Sequence, residues 1–161
     1  MVDPNSMTAR LIFKQAALAT VGIDAAWDKA LQRYLRCETL YNASEAFGPM
    51  AKDQERHTLE TIDIQAEYGR DWKGNVEAMR RHEASFASLR AAEDRQIRDF
   101  AQPFWRAAEE LALTPAPTLA AAMFKAAVME QDDVGNNRDF PADCMEVLQG
   151  DFARLSRETA Q

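Results

Sequence analysis

The chain has little glycine, little proline, two cysteines and two histidines. It also lacks any long apolar run. Each scarcity excludes something. Six glycines and six prolines in 161 residues leave few helix breakers. All six glycines are isolated, so there is no phosphate-cradling glycine-rich loop and no Gly-x-Ser-x-Gly elbow. Cys37 and Cys144 lie far apart without a Cys-x-x-Cys pair. They fit reduced core thiols better than a disulfide framework. Cys144 falls beside Val147 and Leu148 on an apolar face, and Cys37 has only Arg36 as a cationic neighbour, so neither resembles an activated nucleophile. No run approaches the ~20 apolar residues of a bilayer-spanning helix.

What is present is helix-forming. Ala, Leu, Glu, Arg and Gln abound, and they lose little rotamer freedom in a helix. The expected class is all-α, with residues 7–161 forming a single helical domain large enough for a real core. Asp3-Pro4-Asn5-Ser6 is what two adjoining restriction sites encode, so residues 1–6 read as a cloning scar. Thr8 to Val21 faintly resembles a signal peptide, but Lys14 interrupts its apolar run. An ordinary short helix in a cytoplasmic protein is the preferred reading.

The net charge of −7 is unevenly placed. Residues 107–161 carry ten acidic and four basic side chains, which is six of the seven excess charges. Such a surface repels phosphate backbones. Arg80, Arg81, Arg90, Arg95 and Arg98 are interleaved with acids, which argues against direct nucleic-acid binding. A solubilised helix surface is the plain reading, and a face for a basic partner is the sharper one.

Periodicity places the elements. Asp24 is an N-cap for a helix over 24–47, with Trp27, Leu31, Tyr34, Leu35, Glu38 and Tyr41 on one face. Gly48-Pro49 ends it. Met50 to Tyr68 reads as a polar helix with Leu59, Ile62 and Ala66 inward, or around Leu59 to Ile64 as an extended piece. A second long helix is expected over 75–112, with Val76, Met79, Glu83, Phe86, Arg90, Glu93, Ile97, Phe100 and Phe104 on its stripe. The charges on that stripe imply a partly wet seam. Pro103 should force a kink or restart near Gln102.

After Thr114-Pro115-Ala116-Pro117-Thr118, Thr118 caps a helix over 118–131 whose alanines suggest close helix approach. Asp132 to Asn137 reads as a polar turn around Gly135. A last helix over 140–157 starts near Asp139 with Pro141 in its first turn. The expected architecture is a helical bundle of two long antiparallel helices, 24–47 and 75–112, with a C-terminal αα-hairpin. Its expected core is Trp27, Leu31, Met79, Phe86, Ile97, Phe100, Phe104, Leu119, Met123, Val147, Leu148, Phe152 and Leu155.

Ala112 to Ala120, with Lys125 in the following helix, resembles a pattern in small uncharacterised bacterial helical proteins. There a long helix ends in Thr-Pro-Ala-x-Thr-Leu-Ala-Gly before a short acidic hairpin. The likeness covers residues 105–157 well and 24–47, around Trp27, weakly. The chain departs from it at Ala121, where Gly is favoured, and at Pro117, where Thr is usual. The resemblance implies the hairpin and no activity.

Metal and catalytic chemistry find little support. Ferritin-like sites use Glu-x-x-His, but Gln54 precedes His57 and Met79 precedes His82. His57 with Glu60 and His82 with Glu83 are loose pairs. The pairs Glu109-Glu110, Asp132-Asp133 and Glu93-Asp94 read as solvated surface. No cofactor, metal or catalytic residue is assigned. Trp105, Arg106, Trp72 and Tyr68 are the candidate partner-binding residues, because Trp, Tyr and Arg dominate binding hot spots. The expected function is a non-enzymatic protein–protein interaction module, self-associating or binding a partner, in a mobile-element (phage-like) context. The alternatives are an acidic inhibitor that occupies a basic surface and a small helical enzyme or metal protein.

Overall fold

The computed structural model describes residues 7–136 and 140–159. The chain is an all-α helical bundle, with no strand among the described residues. In order, it forms α1 (Met7–Leu18), α2 (Ala25–Phe47), α3 (Pro49–Tyr68), a 3-10 turn (Trp72–Gly74), α4 (Val76–Gln96), a π-helical turn (Ile97–Ala101), α5 (Gln102–Leu113), α6 (Leu119–Asn136) and α7 (Ala142–Thr159). It divides into two compact units. Unit 1 is residues 1–36 with 105–161, and unit 2 is residues 37–104.

The helix starts follow local chemistry. Asp24 Oδ1 accepts from the Ala26 and Trp27 amides at 2.8 and 2.9 Å. Asn75 Oδ1 accepts from the Glu77 and Ala78 amides at 3.0 Å each. Thr118 Oγ1 accepts from the Ala121 amide at 3.2 Å. Each side chain satisfies amides that a helix N-terminus leaves orphaned. Pro103 cannot donate to the preceding turn. The widened π turn Ile97–Ala101 absorbs the mismatch, and α5 restarts at Gln102.

Residues 50–68 form the expected helix, and Pro49 opens α3 from its first position. Two boundaries differ from expectation. The proposed polar turn from Asp132 is instead the last part of α6, which runs through Gly135 to Asn136. A single glycine costs about 1 kcal/mol in a helix and does not stop one. Asn137 and Asp139 lie outside the described residues, and α7 begins at Ala142, after Pro141.

In unit 1, α6 packs against α1 and α7. Arg33 of α2 meets Glu110 of α5 at 2.5 Å. Trp27, Leu31, Tyr34, Phe124 and Leu111 are buried, and Tyr34 meets Phe124 edge-on at 6.0 Å. Ala112, Met129, Cys144 and Leu148 form a cluster flanked by Ala126, Phe140 and Phe152. Buried Ala107, Ala108, Ala121 and Ala122 supply the small surfaces that let helices approach closely.

In unit 2, α3 and α4 form an antiparallel hairpin: His57 meets Ser85, and Arg81 meets Glu60 and Glu67. The end of α2 runs antiparallel to residues 96–104, since Tyr41 stacks on Phe104 at 5.1 Å and Ser44 bonds Gln96. The expected stripe of α4 is rotated by one position. The inward row of α4 is Ala78, His82, Ser85, Leu89, Ala92 and Gln96. Phe86 and Ile97, expected in the core, are exposed. So are Leu59 and Ile62 of α3, where Asp53 and Ile64 are buried instead. Leu119 and Met123 in unit 1, also expected inside, are exposed as well. The larger apolar side chains suggested one stripe, and packing selected the neighbouring stripe of small and polar groups.

Gly48 closes the α2–α3 corner. A Cβ there would collide with the Ser44 carbonyl oxygen and lie 3.1 Å from Gln96 Oε1. Gly48→Ala should destabilise the protein by about 1–3 kcal/mol, the usual cost of overpacking, in a urea denaturation series. An unchanged midpoint would mean that the corner yields.

Candidate functional site

The candidate residues separate into two groups. In unit 1, Trp105 is half-buried and Arg106 is exposed, both on α5. In unit 2, Tyr68 is half-buried at the end of α3. Trp72, expected to face a partner, is a core residue. The 3-10 turn folds it against Ile64 and Ala78, with Tyr68 and Met79 alongside. Its ring lies 4.9 Å from that of His82, and Lys73 Nζ stands 6.0 Å from its centre. A tryptophan 5 % exposed has too little free surface to anchor a partner.

The α3–α4 seam holds most of the polar chemistry of unit 2. His57 Nδ1 lies 2.8 Å from Ser85 Oγ, and Ser85 Oγ donates to the His82 carbonyl at 2.9 Å. Ser85 Oγ has one proton, and the direction of its contact with His57 follows the tautomer of the ring. The contact joins α3 to α4. The His57 and His82 rings are 5.0 Å apart, and Phe86 flanks both. No group of three or more His, Cys, Asp or Glu among the described residues could hold a metal ion.

Arg81 is the electrostatic centre of this seam. Its Nε donates to Glu60 at 2.7 Å and its NH1 donates to Glu67 at 2.6 Å. The Arg81 guanidinium holds the Glu67 carboxyl below its usual value, and the bond to Glu67 raises the Tyr68 hydroxyl. Further along, the carboxylate of Asp53 pairs with Arg56 and, at 3.6 Å, with Arg95. Gln96 Nε2 donates to Ser44 Oγ at 2.5 Å.

Unit 1 contains a different kind of centre, built around the Thr114–Thr118 turn. Lys125 of α6 is 0 % exposed and Asp151 of α7 is 3 % exposed. Lys125 Nζ donates to Asp151 Oδ2 and to the Thr114 carbonyl, each at 2.6 Å. Asp151 Oδ2 also accepts from the Ala116 amide at 3.0 Å. Arg154 donates to the Ala116 carbonyl at 2.5 Å and to Asp151 Oδ1 at 3.3 Å. Two helices thereby grip the backbone of one turn. Burial pushes the Lys125 ammonium below its usual value, and the Asp151 carboxylate opposes that shift.

This centre was missed in the sequence, although a signal existed. Asp151 stands in the three- and four-residue spacing of Cys144, Leu148 and Leu155, and Lys125 interrupts an alanine-rich helix. A charge on an apolar stripe implies a buried partner. Cys144 is buried in the adjoining cluster and Cys37 is half-buried in unit 2; both are free thiols.

Removing one member of a buried pair leaves an uncompensated charge, at a cost of about 3–5 kcal/mol. Lys125→Met should lose about that much, and Lys125→Met combined with Asp151→Asn should recover a large part of it in chemical denaturation. Equal losses in the single and double variants would show that the ion pair is not what matters there.

In unit 2, Glu67 has a folded value below its ordinary 4.5. Its contribution is present above pH 4.5 and is lost as the pH falls through the lower folded value. Melting temperature should drop across that interval, and Glu67→Gln should flatten the drop. An unaltered acid profile in the variant would contradict this assignment. Comparison with known proteins adds no relative: no protein-family model, no curated protein and no solved structure matches this chain.

Proposed function

We propose that the protein is a non-enzymatic protein–protein interaction module. The observation that carries this reading is the orientation of the α3–α4 hairpin. Its seam is polar, while Leu59, Ile62 and Ile97 are exposed. Val76 is 86 % exposed and Phe47 80 % exposed in the same unit. Exposed apolar side chains repeated at helical spacing mark surfaces that bind other molecules. In unit 1, Leu119 and Met123 repeat the pattern on α6, and Trp105 with Arg106 offers an amphipathic anchor on α5. The occupant is a second copy of the chain or a partner protein.

A second reading, an acidic inhibitor of a basic surface, rests on exposed carboxylates in unit 1. Glu130, Asp143, Glu146 and Glu158 all face solvent. It requires binding that weakens steeply with salt, whereas association through apolar surface does not.

Leu59→Ser with Ile62→Ser should change folding stability by only about 0.5 kcal/mol, as for ordinary surface positions. The same pair should weaken association at least tenfold by light scattering across a concentration series. Lost stability with unchanged association would reject this surface. Trp105→Ala should likewise lower association more than melting temperature, and the reverse order would place Trp105 in the core.

A further inference from the structure

The α3–α4 hairpin also carries a groove of about 380 Å³ on its surface, lined by Arg56, Glu60, Arg80, Arg81, Ser85 and Ser88 with one alanine. Its volume falls in the range of small-molecule sites. Three guanidinium groups line this one groove together with a single acid, Glu60. We propose that this groove binds a free small molecule through a phosphate or diphosphate group.

The donors of this groove are held in place but not used up. Arg81 is fixed by Glu60 through Nε and by Glu67 through NH1, and its side chain is 27 % exposed. Glu77 holds Arg80 through Nε and NH2 at 2.9 and 2.7 Å. Arg56 is held by Asp53, and its NH2 donates to Ser88 Oγ at 2.6 Å. A guanidinium has five N–H donors, so each of the three keeps others for a ligand. Carboxylates behind them fix their orientation, as outer-sphere partners do for metal ligands.

The hydroxyls divide by the same bookkeeping. Ser85 Oγ already meets the His82 carbonyl and His57 Nδ1. Ser88 accepts from Arg56, so its own proton remains to donate. Glu60, the one acid in the lining, is already met by Arg81 Nε at 2.7 Å. Asp53, Glu67 and Glu77, which pair with these arginines, lie outside the lining, so what the groove offers an anion is the arginines' remaining N–H donors.

Geometry selects the class of anion. The cations come from two helices, Arg56 from α3 and Arg80 and Arg81 from α4. A tetrahedral oxyanion accepts hydrogen bonds from several directions, and arginine forks match phosphate oxygens two at a time. A single planar carboxylate offers its lone pairs in one plane only.

Isothermal titration with inorganic phosphate and with pyrophosphate, at fixed ionic strength, tests the proposal on the intact chain. Saturable one-to-one binding is expected, tighter for pyrophosphate. Arg80 is largely exposed, so Arg80→Gln should keep the circular dichroism spectrum and weaken binding about tenfold or more, the loss expected for a charge-assisted hydrogen bond. Ser88→Ala should weaken it by a smaller factor. Lys29→Gln, on α2 in unit 1 and outside the groove, should leave it unchanged. No saturable heat up to millimolar ligand would overturn the proposal. So would equal losses in Arg80→Gln and Lys29→Gln, or malonate binding as tightly as pyrophosphate.

Discussion

A buried ammonium group governs the architecture of unit 1. Lys125 gives up its water on folding, and an isolated charge cannot do that cheaply. It is compensated by Asp151 and by the Thr114 carbonyl, and those two acceptors lie on α7 and at the end of α5. The charge can be buried only if three helices arrive together. Asp151 then receives the Ala116 amide, and Arg154 takes the Ala116 carbonyl. The backbone of the turn, which would otherwise leave polar groups unpaired inside the protein, is satisfied from both sides. A buried ion pair is weak evidence for stability and better evidence for a unique arrangement. Here it specifies the register of α6 and α7 against the end of α5.

Unit 2 reaches order by a different balance. Its hairpin buries little large apolar surface along the seam. It joins its helices through Asp53 with Arg95, His57 with Ser85 and Glu60 with Arg81. Half-exposed ion pairs contribute about 1 kcal/mol or less each, so alignment is their main effect. The apolar residues are then left outside, and three guanidinium groups line the groove. One choice of face produces both features.

The sequence carried the ends of the helices well. Asp24 and Thr118 cap where their side chains predict, because a cap is a contact between near neighbours, and Asn75 caps the helix expected to start beside it. Pro103 was equally readable: a missing N–H acts within one turn, whatever surrounds it. Gly135 misled, because a glycine permits a break without requiring one. The faces were harder. Phe86 and Ile97 drew the stripe of α4 one residue away from Ala78, His82, Ser85 and Ala92. A row of small and polar residues does not announce burial until its partner helix is known. Trp72 failed for the same reason, since its burial depends on a 3-10 turn that brings it back onto α3 and α4.

The sequence by itself determined the helical class, the caps, the restart at Gln102 and the acidic last third. These follow from propensity, missing donors and counted charges, all of which act within a few residues. The tertiary structure alone decided which face of α4 is inside, which carboxylate meets Lys125, and that Arg56, Arg80 and Arg81 share a groove. Those are pairings across 26 residues for Lys125 with Asp151 and 21 for Arg81 with Glu60. Periodicity gives the row a side chain occupies, and only packing gives the row it meets.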